Sequence, residues 1–227
     1  IVGQPRMLDF EYMRWIAAVL DSHIQTHLNP EKLRITHLGG GACSLARYCA
    51  DVYPNSRNTV VELDAKLAEY VRDWFDIPKS PRVKIRVGDA GTITSSLAPA
   101  SRDVVIRDVF AADKTPAELT SVDFVREVDH SLAPGGLYIL NCGDGPSLDG
   151  ARAEVAALFE VFEQVCLVAD AAMLKGRRRG NIIIAASHSP LPAAGSAEAA
   201  AISRTLMGGG VPAQYRDSAQ ARQFARL

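Results

Sequence analysis

The chain is predicted to be an α/β protein built on a mostly parallel sheet of seven strands ending in an antiparallel pair. Three features of the sequence predict this: short apolar runs at regular intervals, helical stretches following most of the first five, and too little chain between the last two for a helical crossover.

The elements follow in order. Residues 10–26 read as an amphipathic helix, with Tyr12, Ile16, Val19 and Leu20 on one side. Strands are expected at 33–38, 59–63, 83–87, 103–108, 136–141, 164–169 and 181–187, with helices near 44–52, 65–75, 121–132 and 150–162. The run Ile182, Ile183, Ile184, Ala185, Ala186 is apolar throughout, as a strand covered on both faces should be. Pro134-Gly135-Gly136 is a stop-and-turn signal after a helix. Residues 190–200, rich in Ala, Pro, Gly and Ser, read as a linker, and the tail from Ala201 to Leu227 as two short helices around 211–216. The expected division is therefore an N-terminal helical segment (1–30), a nucleoside-binding domain (31–189), and a linker with a tail (190–227).

The bulk numbers narrow the function classes. At 227 residues the chain can fold around one ordinary core. A net charge of −1 gives no sustained basic field, so neither nucleic acid nor membrane is an expected partner. No run of about 18 apolar residues exists to span a bilayer. Cys43, Cys49, Cys142 and Cys166 lie apart and form no CxxC pair, which argues against a zinc site and for buried thiols in a reducing, cytoplasmic setting. The first residue is Ile1 rather than Met, so the native start is expected upstream.

Three signals fall after three successive strands, at the edge where open α/β sheets bind ligands. The first strand runs into Gly39-Gly40-Gly41-Ala42-Cys43-Ser44 and then a helix. Such a turn lets backbone approach a ligand and aims N–H groups at it. A full G-x-G-x-x-G would suggest a nicotinamide dinucleotide, but Ser44 stands at its last position. Glu62 ends the second strand, 21 residues after Gly41, where an acid can accept from both hydroxyls of a ribose. Asp89, with Ala90 beside it, follows the third strand and could accept from an adenine amine. Each has a plain alternative: a tight turn, a solvated strand-end acid, a turn residue. Together they indicate a site for an adenosine moiety.

With these residues in view, the chain resembles the spermidine synthases, a family of aminopropyltransferases. The likeness runs from about Phe10 to Ser187. Its carriers are the glycine turn, Val61-Glu62-Leu63-Asp64, Gly88-Asp89, Asp103-Val104-Val105-Ile106-Arg107-Asp108, Asp123-Phe124 and Leu132-Ala133-Pro134-Gly135-Gly136. The resemblance implies a Rossmann-like fold of the S-adenosylmethionine-methyltransferase type, decarboxylated S-adenosylmethionine or S-adenosylmethionine as co-substrate, no metal, an amine as acceptor, and a homodimer. It implies Asp108 as the base that takes a proton from the attacking amine, and Tyr12 as an amine-site residue. An alkylamine must be neutral to attack, and a carboxylate in a closed pocket can both hold and deprotonate it.

The chain departs from the family at the amine contacts. The acid of the family's GGGDG turn is Ala42, the second acid after its base is Ala111, and the partner of its helix tyrosine is Met13, followed by Arg14. Losing two contacts to charged groups costs about 3–6 kcal/mol. Asp113 could replace the missing second acid from a shifted loop. The rivals are therefore an S-adenosylmethionine-dependent methyltransferase and a non-catalytic nucleoside-binding homologue. Arg177-Arg178-Arg179 could grip an anion but reads more simply as an exposed loop, and His23 and His27 share a helix face without an evident third ligand.

Overall fold

The computed structural model describes residues 3–112 and 114–227. The elements run α1 (Glu11–His27), β1 (Arg34–Leu38), α2 (Ser44–Val52), β2 (Arg57–Glu62), α3 (Ala65–Trp74), β3 (Val83–Val87), α4 (Ala90–Ser95), β4 (Arg102–Arg107), α5 (Val122–Ser131) and β5 (Leu132–Asp144). They continue with α6 (Asp149–Phe159), β6 (Gln164–Ala169), α7 (Ala171–Leu174), β7 (Gly180–Ser187), α8 (Ala197–Met207), β8 (Gln214–Arg216) and α9 (Ser218–Ala225). The sheet order is β3-β2-β1-β4-β5-β7-β6-β8. β1 to β5 are parallel, and β7 lies antiparallel between β5 and β6. This is the α/β, Rossmann-like methyltransferase architecture that the short β6–β7 connection led us to expect.

Among the described residues the expected seven strands become eight. Gln214–Arg216 pairs antiparallel with β6 through Leu167, Val168 and Ala169. Three residues are too few to show a strand period, so only the tertiary contact reveals them. Helices α8 and α9 flank β8, two helices as expected of the tail, but α8 begins inside the expected linker, capped by Ser196. Residues 190–227 share the main core, contributing Leu191, Ile202, Leu206, Ala213, Ala221 and Phe224. A second difference lies at 132–136, where β5 starts before the Pro-Gly-Gly turn because Leu132 pairs with Arg102 ahead of a register shift. α4 and α7 were not foreseen.

The period of two along the strands sets up the site. On one face, His37 registers with Val60 and Ile106, and Asp108 follows Ile106 on the same side. The other face carries Leu38, Val61 and Arg107. Arg107 is fully buried, donating to the Leu119 carbonyl and to Glu154 of α6. α1 closes the first face, burying Trp15, Ile16, Val19, Leu20 and Ile24. Among the described residues no helix is long and apolar enough to cross a membrane.

At the far end of the sheet, His188 bridges two carboxylates, Glu163 at Nδ1 and Asp129 at Nε2 (2.8 Å). Both ring nitrogens donate only in the imidazolium form. Partial burial pulls the His188 pKa down, but the bonds and charges of Glu163 and Asp129 outweigh it, and the net direction is up. A raised folded pKa adds stability that is complete below the unfolded value of about 6.5 and lost as pH rises through the folded value. His188→Gln should therefore lower the melting temperature by about 1–2 °C near pH 6, and by nothing measurable near pH 9. Thermal scans at the two pH values check it, and an equal loss at both would reject the charged pair.

Candidate functional site

The glycine turn is held from both sides. Gly39 has φ +86°, and a Cβ there would meet the backbone oxygen of Asp108 at 2.2 Å, so only glycine lets the two strand ends close on each other. A Cβ on Gly40 would strike Val60 at 2.6 Å. Glu62 then fastens the turn. Its Oε2 accepts from the N–H groups of Gly40 (3.1 Å) and Gly41 (2.9 Å), and its Oε1 from Asp64 N–H (3.0 Å). Backbone bonds extend the same register: Gly39 N–H donates to Val61, Gly88 N–H to Glu62, and Asp108 N–H to Leu38.

Asp89 caps α4. Its Oδ1 accepts from the backbone N–H (2.8 Å) and hydroxyl (3.0 Å) of Thr92, and these bonds hold its carboxyl below the usual range. The helix was missed because Gly91 and two threonines make six residues of poor helical signal. Glu62 and Asp89 face one cavity of about 530 Å³, with Gly39, Gly41, Asp64, Ala90, Asp108, Phe110, Ala111 and Glu118 among its walls. Its lip carries Leu63, 72% exposed, and Phe110, 38% exposed.

Asp108 stands where that cavity meets a second one. The inner cavity, about 250 Å³, is walled by Tyr12, Met13, His37, Gly39, Gly40, Gly41, Ala42, Val60 and Ile106, with Asp108 again in its wall. Tyr12 of α1 donates its hydroxyl to Asp108 Oδ2 (2.9 Å), and Asn141 of β5 donates its amide to Oδ1 (2.9 Å). Burial pushes the Asp108 carboxyl above its ordinary pKa, while the bonds from Asn141 and Tyr12 and the charge of Arg107 pull the other way. Burial raises the Tyr12 hydroxyl well out of the physiological range, and the Asp108 charge adds to it, so it remains a donor.

The structure thus brings Gly39, Gly40, Gly41, Glu62, Asp89, Ala90, Asp108 and Tyr12 to one edge of the sheet. Ala42 and Met13 line the inner cavity and Ala111 the outer one. Asp113 falls outside the described residues. Arg177, Arg178 and Arg179 line neither cavity, and Arg178 pairs with Asp170 at 2.7 Å. The His23 and His27 rings lie 4.7 Å apart, and the Nε2 of each is bonded to a backbone carbonyl. Two residues were overlooked, Asn141 and His37. Each is a polar side chain near the carboxyl end of an apolar strand, which is the signal that could have found them.

Comparison with known proteins fits this geometry. No protein-family model matches the chain. A curated eEF1A lysine and N-terminal methyltransferase from Mus musculus is 33% identical over 144 residues, 59% of this chain; the chain spans only about a fifth of that relative's length. Human methyltransferase-like protein 13, solved in complex with SAH, is 26% identical, with a TM-score of 0.68 over 88% of this chain and 94% of that one. A probable spermidine synthase from Corynebacterium glutamicum is 59% identical and superposes with a TM-score of 0.97, covering 99% of this chain and 81% of the other. Identity and superposition of that extent, over nearly all of this chain, show that the chain belongs to the spermidine synthase family.

Proposed function

We propose that the protein is a transferase that binds an adenosylmethionine-type nucleoside in the outer cavity and passes an alkyl group from it to an amine in the inner one. The observation that carries the reading is the position of Asp108, a half-buried carboxylate in the wall of both cavities. A group transferred between two bound molecules must cross where their pockets meet, and that is where a base is useful.

The outer cavity suits a nucleoside. Its volume lies within the range of about 300–1,000 Å³ common for small ligands. Glu62 and Asp89 offer acceptors for hydroxyl and amino groups, and Leu63 and Phe110 offer apolar surface to a base. When bound, a sulfonium nucleoside supplies a carbon activated by the positive sulfur, with a neutral thioether as leaving group. The protein's part is to hold, orient and deprotonate. Asp108 accepts the amine proton, and Tyr12 and Asn141 fix its two oxygens. Decarboxylated S-adenosylmethionine with an aminopropyl group is the donor we favour, on the family membership.

A specific observation favours a second reading, a methyltransferase using intact S-adenosylmethionine. Among the described residues, Ala42 and Met13 leave the inner cavity with no carboxylate besides Asp108, so nothing there is built for the free amine of a decarboxylated donor. The likeness to the mouse methyltransferase and to the SAH-bound human protein points the same way. Calorimetry with the carboxylated and decarboxylated donors separates the readings. Tighter binding of the decarboxylated donor supports aminopropyl transfer, and the reverse supports methyl transfer.

Two substitutions test the site itself. Glu62→Ala removes both the ribose acceptor and the clamp on the glycine turn, and should weaken 5′-methylthioadenosine by 100-fold or more, on the order of 3 kcal/mol. Unchanged affinity would reject the outer site. Asp108→Asn should lower transfer by about 10²–10⁴-fold. Because the folded pKa of Asp108 is raised, its charged form is disfavoured by folding, and the stability it lends is lost as pH rises through that value. The Asp108→Asn protein should therefore melt no lower than wild type near pH 7, and wild-type activity should fall on the acid side above the ordinary carboxylate pKa of about 3.9. A large loss of stability with little loss of rate would make Asp108 structural.

A further inference from the structure

The chain between β4 and α5 supplies the outer cavity with Val109, Phe110, Ala111, Pro116, Glu118 and Leu119. Most bonds in this segment are internal to it. Ala111 N–H donates to the Lys114 carbonyl (2.9 Å), and Leu119 N–H to that of Pro116 (3.0 Å). The hydroxyls of Thr120 and Ser121 bond to the carbonyls of Ala117 and Glu118. Such bonds shape a segment without fixing where it lies. Among the described residues, the one side chain from outside it that bonds to its backbone is Arg107.

Arg107 holds the segment at both ends. Its backbone closes β4, in register with Leu38 and Leu140, one residue before Asp108. Its guanidinium, buried on the opposite face of the sheet, donates through Nη1 to the carbonyl of Leu119, 12 residues on, and through Nη2 to Glu154 of α6. Two bonds in fixed directions from one side chain are what a planar guanidinium provides, and its charge strengthens the bond to the carbonyl. Glu154 is the counter-charge that makes a buried cation tolerable. Leu119 is itself buried, and a Cβ on Gly91 would lie 3.6 Å from its Cδ2. The far end of the segment therefore rests on α4, the helix that Asp89 caps. Neither Arg107 nor Glu154 lines a cavity.

We propose that Arg107, held in turn by Glu154, is a positioning residue for the nucleoside: it fixes the wall that carries Phe110 and Glu118 relative to the strand ends that carry Glu62 and Asp89. This rests on the reading of the outer cavity as the nucleoside site. The affinity of that site then depends on a side chain that never touches the ligand. A guanidinium keeps its charge throughout the working pH range, so the bond to Leu119 does not titrate away. An apolar side chain of similar length could fill the same space, but it would leave the buried Leu119 carbonyl without a donor and the wall free to shift. The pair therefore sets the fit of the cavity as well as the stability of the fold.

A double variant, Arg107→Met with Glu154→Met, separates the tether from the fold. Replacing both partners of a buried ion pair by apolar side chains often leaves stability unchanged or higher, whereas removing one partner strands a charge. The double variant should therefore fold and melt near wild type. Hydrogen exchange read by mass spectrometry should speed up about 10- to 100-fold over residues 109–120, the range set by one bond to a charged group, and stay at wild-type rates over β1 and β2. Calorimetry should show 5′-methylthioadenosine weakened about tenfold, and saturating ligand should restore protection to 109–120. Wild-type exchange in that segment, or unchanged affinity beside a loosened segment, would overturn the proposal. So would protection lost evenly over the whole sheet, which would make the pair structural alone. Should the double variant not fold, Arg107→Lys decides. It keeps a cation for Glu154 but has one nitrogen where two hold the two acceptors, so the same local loss is expected, and wild-type exchange over 109–120 would again overturn the proposal. A failure of the nucleoside reading registers separately, as faster local exchange in the variant while 5′-methylthioadenosine binds neither protein.

Discussion

The structure of the site depends on one carboxylate, that of Glu62, bonded to three backbone N–H groups. Two belong to the glycine turn after β1 and the third to Asp64, which in turn caps α3. A single side chain therefore ties the ends of two strands and the start of the next helix to one point. The turn can reach that point only because Gly39 lies against the backbone oxygen of Asp108, with no room for a Cβ between them. Position at β2 thus sets position at β1, and position at β1 sets it at β4. Such coupling is what a pocket lined by several strand ends requires, since each wall is otherwise free to drift on its own loop.

Much of this was legible in the sequence, for identifiable reasons. Glu62 and Asp89 stood out because each ends a run of strand character, and strand ends at one edge of a parallel sheet are neighbours whatever the details of packing. The parallel sheet and the reversed β7 followed from connection lengths, which are properties of the chain alone. The role of Glu62 was read only in part. Spacing placed it at the edge but could not show that its oxygens turn first to the backbone of the turn, a contact 21 or 22 residues distant.

What escaped the sequence escaped for a common reason. β8 is three residues long, and α4 is six residues around a glycine, so neither has enough length to display a period. His37 and Asn141 sit in strands where a polar residue reads as an interruption in an apolar run. Their meaning comes from partners 21 and 33 residues away, Asn58 and Asp108.

The alternation of the strands also explains why Asp108 keeps its own chemistry. Arg107 precedes it on β4 with a full positive charge, and a guanidinium beside the carboxylate would hold the proton off and make a poor base. Period two sends the two side chains to opposite faces of the sheet. A buried guanidinium cannot be left alone, and the fold gives it Glu154 and the carbonyl of Leu119 on its own side. Asp108 is left to neutral donors, the hydroxyl of Tyr12 and the amide of Asn141. Burial then governs its pKa, and the direction is upward despite the residual pull of Arg107. Glu154 lines neither cavity, yet it satisfies the neighbouring cation that could otherwise claim the carboxylate of Asp108, the proposed base.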